Sequence, residues 1–170
     1  MPLIIDGYNL LHASGILGRG KGPGHLERAR QALLNFLVES LPEKELTKTV
    51  VVFDAVDPPW GLPRRVNHSG VQVVFASHHS DADSHIEEMI EENSAPRRLT
   101  VVSSDHRLHR AAKRRKATAI DSDRWFAEQI RNRSERASAA RSERVTKPDG
   151  GLSDVEVEYW LKHFGMDEKK

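Results

Sequence analysis

Apolar residues in this chain fall into short unbroken runs separated by longer stretches in which they recur every three or four positions. Residues 2–6 form a brief buried run that ends at Asp6. Residues 7–25 are rich in glycine (Gly7, Gly15, Gly18, Gly20, Gly22 and Gly24), which predicts a long loop. Ala29, Ala32, Leu33, Phe36 and Leu37 then repeat at helical spacing and predict a helix over 26–41. Thr49–Phe53 is a β-branched run of the kind buried on both faces of a sheet, and it stops at Asp54. Pro58-Pro59-Trp60-Gly61 predicts a loop carrying Arg64 and Arg65, followed by a third strand over Val71–Phe75. Ser80 or Asp81 can cap a helix over 82–93 with Ile86, Met89 and Ile90 inward. Leu99–Val102 is a fourth strand, running into Ser103-Ser104-Asp105. A basic helix with Leu108, Ala111 and Ala112 inward follows it. Ala117–Ile120 is a fifth strand, ending at Asp121, and a helix from 122 is expected to bury Trp125, Phe126 and Ile130.

Strands alternating with helices predict an α/β fold with a mostly parallel five-stranded central sheet covered on both faces. The expected organisation is one domain over 1–143, a linker over 144–152 around Lys147-Pro148-Asp149-Gly150, and a C-terminal helical tail over 153–170. A capping box, Ser153-Asp154-Val155-Glu156, opens that tail. It has three open roles: packing on the core, homo-oligomer formation, or partner binding.

Composition narrows the chemistry. The 170 residues contain no cysteine, which removes disulfides, thiolate chemistry and cysteine-bearing zinc sites. The opening Met1–Asp6 turns acidic too soon for a signal peptide, and no apolar run approaches the roughly 20 residues of a membrane helix. A cytoplasmic protein with no membrane partner is the expectation. The net charge of +1 says nothing about partners. Its distribution does: residues 81–92 carry Asp81, Asp83 and four glutamates without a Lys or Arg, and residues 107–116 carry Arg107, Arg110, Lys113, Arg114, Arg115 and Lys116 without an acid. A metal site handling a polyanion uses such a pairing, and two solvated helix faces of opposite sign also produce it.

Asp6, Asp54, Asp105 and Asp121 each follow the last apolar residue of an expected strand. In a parallel sheet those positions share the carboxyl edge, where ligands bind, and Asp83 at a helix start can reach the same edge. Such aspartates also serve as helix caps. Carboxylates gathered without cysteine are hard oxygen donors that suit Mg²⁺ or Mn²⁺, ions that stabilise phosphoryl displacement.

Rival motifs are weaker. Gly15-Ile16-Leu17-Gly18-Arg19-Gly20-Lys21 has phosphate-loop spacing but is followed by Gly22 where Ser or Thr is needed. Tyr8 occupies the position at which an aspartyl-phosphate phosphatase needs a second aspartate. His78, His79 and His85 lie near Asp83, but exposed loop histidines account for them as well as zinc does. Ser103 and Ser104 have no histidine partner that sequence specifies. Tyr8 and Trp60 are candidates for stacking on bases.

Leu3-Ile4-Ile5-Asp6-Gly7-Tyr8-Asn9-Leu10 resembles the opening of the NYN domain, a PIN-like nuclease family, in its YacP-like branch. Val50-Val51-Val52-Phe53-Asp54-Ala55, Val73-Val74-Phe75 with Ala82-Asp83, and Val101-Val102-Ser103-Ser104-Asp105 follow in the same order. The resemblance covers roughly residues 1–130 and implies a three-layer PIN-like fold that cleaves RNA with a divalent metal. Asp6, Asp83 and Asp105 would hold the ion, Asn9 would support the first loop, and Asp54 would complete the cluster or stand just behind it. Asp81, Ser104 and Asp121 stand beside these as supporting candidates. Arg64, Arg65 and the basic helix (Arg107, Arg110, Lys113, Arg114, Arg115) would hold the RNA. For some members the resemblance extends to messenger RNA cleaved in association with the ribosome. Two readings compete with endoribonuclease: a non-catalytic RNA-binding module on the same fold, and a metal phosphatase for small phosphoesters. The tail beyond about residue 144 has no counterpart in the shorter family pattern.

Overall fold

The computed structural model describes residues 1–18, 20, 22–54, 65–76 and 81–146, with side chains described through residue 139. Arg64, Trp60, His78, His79, Lys21 and the expected tail over 153–170 lie outside the described residues. Met1–Arg133 forms one compact unit, and residues from Ser134 onward form another.

The chain order is β1 (Leu3–Asp6), α1 (Gly7–Ser14), α2 (His25–Ser40), α3 (Glu43–Leu46), β2 (Thr49–Phe53), β3 (Arg65–His68) and β4 (Val71–Phe75). It continues with α4 (Ala82–Glu92), a 3₁₀ turn (Pro96–Arg98), β5 (Thr100–Val102), α5 (His106–Arg114), β6 (Thr118–Ile120) and α6 (Ser122–Thr146). The sheet order is β3-β4-β2-β1-β5-β6, parallel except for the antiparallel edge strand β3. This is the expected three-layer α/β fold with six strands in place of five.

Alternation along the strands builds two cores. Leu3, Ile5, Val51, Phe53, Val71, Val73 and Val102 face α1, α2 and Trp125 of α6. Ile4, Val52, Val74 and Val101 face Ile86 and Ile90 of α4 and Leu108, Ala111 and Ala112 of α5. Burial on both sides explains why the strands read as continuous apolar runs.

Several expectations needed correction. β3 escaped notice because it is an edge: its residues alternate between exposed and half-buried, and Val66 is its only aliphatic residue. α1 was expected to be loop. Gly7 instead starts a helix capped by Asp6, because nothing larger fits: a Cβ there would stand 2.3 Å from the buried Phe53 ring. On α2, Ala32 is exposed while Arg30 and Leu34 are buried. Ile130 on α6, expected inside, is 47% exposed, whereas Trp125 is buried and Phe126 packs at 4.9 Å on Phe36. α6 also continues as helix over 144–146, the first residues of the expected linker.

Candidate active site

The topology reverses direction at β1: the chain moves outward to β2, β4 and β3, then returns to place β5 on the other side of β1. The crevice beyond the carboxyl ends of β1 and β5 is therefore the switch point where such sheets bind ligands. Asp6 is the last residue of β1, and Asp105 follows β5 as the cap of α5. Asp83 comes from the first turn of α4, the helix that crosses from β4 to β5. These three, with Tyr8, Asn9, His12, Asp54 and Asp81, line one open cleft of about 360 Å³.

Hydrogen bonds fix the acids from below. Asp6 is 5% exposed; its Oδ1 accepts from the Asn9 backbone N–H at 3.0 Å and its Oδ2 from the Ser103 hydroxyl at 3.1 Å. The same Ser103 hydroxyl accepts the Asp105 N–H at 3.1 Å, so one fully buried serine joins the carboxyl ends of β1 and β5. The Asp105 carboxylate accepts from the Arg107 N–H, capping α5. The Asn9 side chain accepts the Ser104 N–H at 3.1 Å, which ties α1 to the loop after β5. Ser104 also donates to Asp123 at 3.3 Å and accepts from the Ser122 N–H at 3.1 Å, anchoring the start of α6.

Charge in the cleft is only partly relieved, by Arg107 beside Asp81. Burial, followed by the charges of Asp6, Asp105 and Asp81, pushes the Asp83 carboxyl up to about 6. Burial raises Asp6 as well, against the hydrogen bonds from Asn9 and Ser103. Asp81 differs: hydrogen bonds from Ser84 hold it below the usual carboxylate range, and it caps α4 through a 2.7 Å bond from the Ser84 N–H.

The remaining predicted residues separate. Asp121 does not line the cleft; its carboxylate stands 3.8 Å from His109 Nε2. Arg107 lies beside the site but is engaged, 2.8 Å from Glu87, 3.1 Å from the Ser84 hydroxyl and 3.7 Å from Asp81. Its hydrogen bond to Glu87 raises its already high pKa further. Arg65 is exposed on β3, Arg110, Lys113 and Arg114 are exposed on α5, and Arg115 is half-buried beyond the helix end. Two cleft features went unpredicted. His12 reaches the cleft only because α1 is a helix. Ser103 gave no signal beyond following a strand. Tyr8 lies edge-on to Phe53 at 5.6 Å, and its hydroxyl accepts from the buried Arg30 at 3.3 Å.

The donors fit a hard divalent cation. The acids offer hard oxygen ligands, and the raised ones are what an added positive charge would relieve. Among the described residues, no three His, Asp or Glu side chains already form a cage around one point. Mg²⁺ suits such an arrangement, because it keeps several waters and commonly takes one or two carboxylates with substrate phosphates.

A model for the family described as the YacP-like NYN domain matches residues 3–164. The match runs past residue 144, so the C-terminal segment falls inside the family pattern instead of beyond it. The crystal structure of Rae1 (YacP) from Bacillus subtilis is similar over 97% of this chain and 92% of that one, with a TM-score of 0.67 and 25% identity. The structure of a Trp-to-Leu variant of the same protein is similar over 94% and 89%, with a TM-score of 0.64 and 25% identity. No curated protein matches the sequence significantly. Among the described residues, no helix is long and apolar enough to cross a membrane.

Proposed function

The chain belongs to the YacP-like NYN domain family, and from that premise we propose that it is a divalent-metal-dependent endoribonuclease of the cytoplasm, cleaving single-stranded RNA. One observation carries the reading: acids from three distant segments, Asp6, Asp83 and Asp105, line a single cleft at the sheet's switch point. Like charges brought together in a half-buried site raise the free energy of the empty fold, and a site whose purpose is to hold a cation accounts for that cost.

In this reading Asp6, Asp83 and Asp105 hold Mg²⁺ or Mn²⁺, with Asp54 completing the rim. When bound, such an ion stabilises charge on phosphate oxygens and makes water a better nucleophile at neutral pH. The protein's own part is positioning. Ser103 keeps Asp6 and Asp105 in register, and Asn9 holds the loop above them. Arg107 keeps Asp81 and Glu87 occupied and so keeps α4 and α5 aligned. Tyr8, braced by Arg30 and Phe53, presents an aromatic ring on which a base can stack. The exposed cations of α5 and Arg65 on β3 hold the backbone. The substrate class extends to messenger RNA and the setting to the ribosome, as in the branch the sequence resembles.

The test is Asp83→Asn, which keeps the side chain's size and removes its charge. Cleavage of single-stranded RNA should require Mg²⁺ or Mn²⁺, stop with chelator, and fall on the order of a hundredfold or more in the variant. That fall is roughly 3 kcal/mol of transition-state stabilisation. RNA binding should persist. Equal cleavage by the two purified proteins would remove the catalytic assignment, and intact binding without cleavage by either would leave an RNA-binding module.

A further inference from the structure

A second cleft opens at the other end of β5. Its walls carry Arg97, Arg98, Arg114, Arg115 and Lys116, and its volume is about 520 Å³. We propose that this cleft is a second binding site for the RNA backbone, reached from the acid cleft along α5. The inference rests on the reading above only for the identity of the polyanion.

Strand pairing creates the site. The 3₁₀ turn Pro96–Arg98 enters β5 and Lys116 precedes β6, and these strands pair in parallel with Thr100 opposite Thr118. Cations eighteen residues apart in sequence thus meet on the amino edge of the sheet, opposite the acids. Arg114 and Arg115 reach the same cleft from the end of α5. A single acid, Glu91, serves both of them, at 3.5 and 3.6 Å, and Arg115 also donates to the Asn93 carbonyl. Arg97, Arg98 and Lys116 are exposed and form no ion pair among the described residues. A concave surface with this excess of one charge raises the local concentration of an opposite polyion.

The backbone at Lys116 is an independent sign. α5 ends in a Schellman motif: the Ala117 N–H bonds the Ala112 carbonyl at 2.9 Å, and the Lys116 N–H bonds the Lys113 carbonyl at 3.0 Å. The residue at the turn takes the left-handed conformation, φ 60°, where glycine is the usual occupant because a Cβ is costly. Lysine occupies that position here. Lys116 lines the cleft, and a residue held in an unfavourable conformation at a charged cleft points to use of the side chain.

α5 joins the two sites. At 100° per residue, Arg107, Arg110, Lys113, Arg114 and His106 share one arc of the helix, and all but the half-buried Arg107 are exposed. From its cap Asp105 to Arg115 the helix rises about 15 Å. A stacked strand with a phosphate every 3.4 Å or so covers that with roughly four or five nucleotides. Substrates longer than this can touch both clefts at once, and shorter ones only one at a time.

The experiment measures binding in EDTA, so that no cleavage occurs, using 2′-O-methyl oligoribonucleotides of about four and about fifteen nucleotides, lengths chosen from that spacing. The variants are Lys116→Gly alone and Arg97→Gln/Arg98→Gln/Lys116→Gly together, on the full chain. The triple variant should bind the long oligomer on the order of tenfold more weakly. Its salt slope should fall by about 2, at roughly 0.7 per lost phosphate contact. The short oligomer, which reaches one cleft at a time, should lose less salt slope than the long one. Lys116→Gly should raise Tm while weakening long-RNA binding, a pairing that a merely structural lysine would not produce. An unchanged affinity and salt slope for the long oligomer overturns the proposal, as does preferential capture of poly-glutamate by this cleft. Loss of the slope in a protein without metal-dependent cleavage would sustain this site and reject the nuclease reading. Intact cleavage with an unchanged slope would do the reverse.

Discussion

The acid cleft and the basic cleft terminate the same strand and the same helix, yet they are built in opposite ways. At the carboxyl edge a connected set of polar groups is committed: Asp6 to Asn9 and Ser103, Ser103 to Asp105, Asn9 to Ser104, Arg107 to Glu87 and Asp81. At the amino edge Arg97, Arg98 and Lys116 are exposed and form no ion pair among the described residues. A fixed, partly desolvated network suits groups that must stand ready at a reacting phosphate, because preorganised electrostatics act on the transition state. Exposed flexible cations suit affinity, which comes from counterion release and tolerates imprecise geometry. The acid cleft should therefore set rate and the basic surface should set binding.

The sharpest test of that division is Ser103→Ala. The hydroxyl is 0% exposed and serves two partners, so its loss leaves an Asp6 oxygen and the Asp105 N–H without their bonds. Hydrogen bonds to charged groups contribute about 1.5–3 kcal/mol, and a rate loss of tenfold or more follows if the two acids lose register. kcat should fall, RNA affinity in chelator should stay within about twofold, and Tm should drop. Affinity falling in step with kcat would break the division between the clefts.

How far sequence alone reaches is seen by comparing particular residues. The inner strands β1, β2, β4 and β5 were legible because burial on both faces leaves an apolar run, and the edge strand β6 because Ala117–Ile120 is a short, largely apolar segment between two helical stretches. β3 was not, because an edge strand needs no such run. Asp6 and Asp105 stood out as acids ending strands. Ser103, which connects them, did not, since its role depends on β1 and β5 being neighbours 97 residues apart in sequence. α1 was hidden by Gly7, whose contact with Phe53 exists only in the folded sheet. The basic block of α5 was legible as charge, but not its division: Arg107 is drawn into the acid network, whereas Arg114 and Arg115 turn toward a cleft whose other wall comes from Arg97 and Arg98.

A smaller effect is expected midway between the clefts. Arg110 and Lys113 are exposed on α5 and form no ion pair among the described residues. Replacing both with Ala should weaken single-stranded RNA binding several-fold and lower the salt slope by about 1.4, or 0.7 for each lost contact. Tm should hardly move, because isolated exposed charges contribute little to stability. Cleavage at saturating RNA should be unchanged. An unaltered slope would show that RNA leaves the acid cleft by another route and would disconnect the two sites.

The smallest effect concerns the acid cleft when no metal is bound. Asp83 has its carboxyl pushed up to about 6 in the fold, chiefly by burial and then by Asp6 and Asp105, against an ordinary value of 3.8. Between those values the folded chain binds more protons at this group than the unfolded chain does. Stability in chelator therefore falls as pH rises through that range, and the loss is complete above the folded pKa. Asp83→Asn has no such charge to lose. Its advantage over wild type should be absent near pH 4, grow as pH rises, and level off above 6. Because the group is only half-buried, solvent screening limits the gain to a few tenths up to about 1 kcal/mol, or at most about 2–4 °C in Tm at this chain length. Adding Mg²⁺ or Mn²⁺ at neutral pH should reverse the ranking, since the ion stabilises the fold that binds it. Removing a charge at the other edge should show neither behaviour: Arg97→Gln should track wild type across pH and ignore the metal. A wild-type-to-Asn difference that stays flat with pH and indifferent to metal would mean that the acids of the cleft are held apart well enough to need no cation. The contrast between an acid edge that needs a cation and a basic edge that needs none would then be lost.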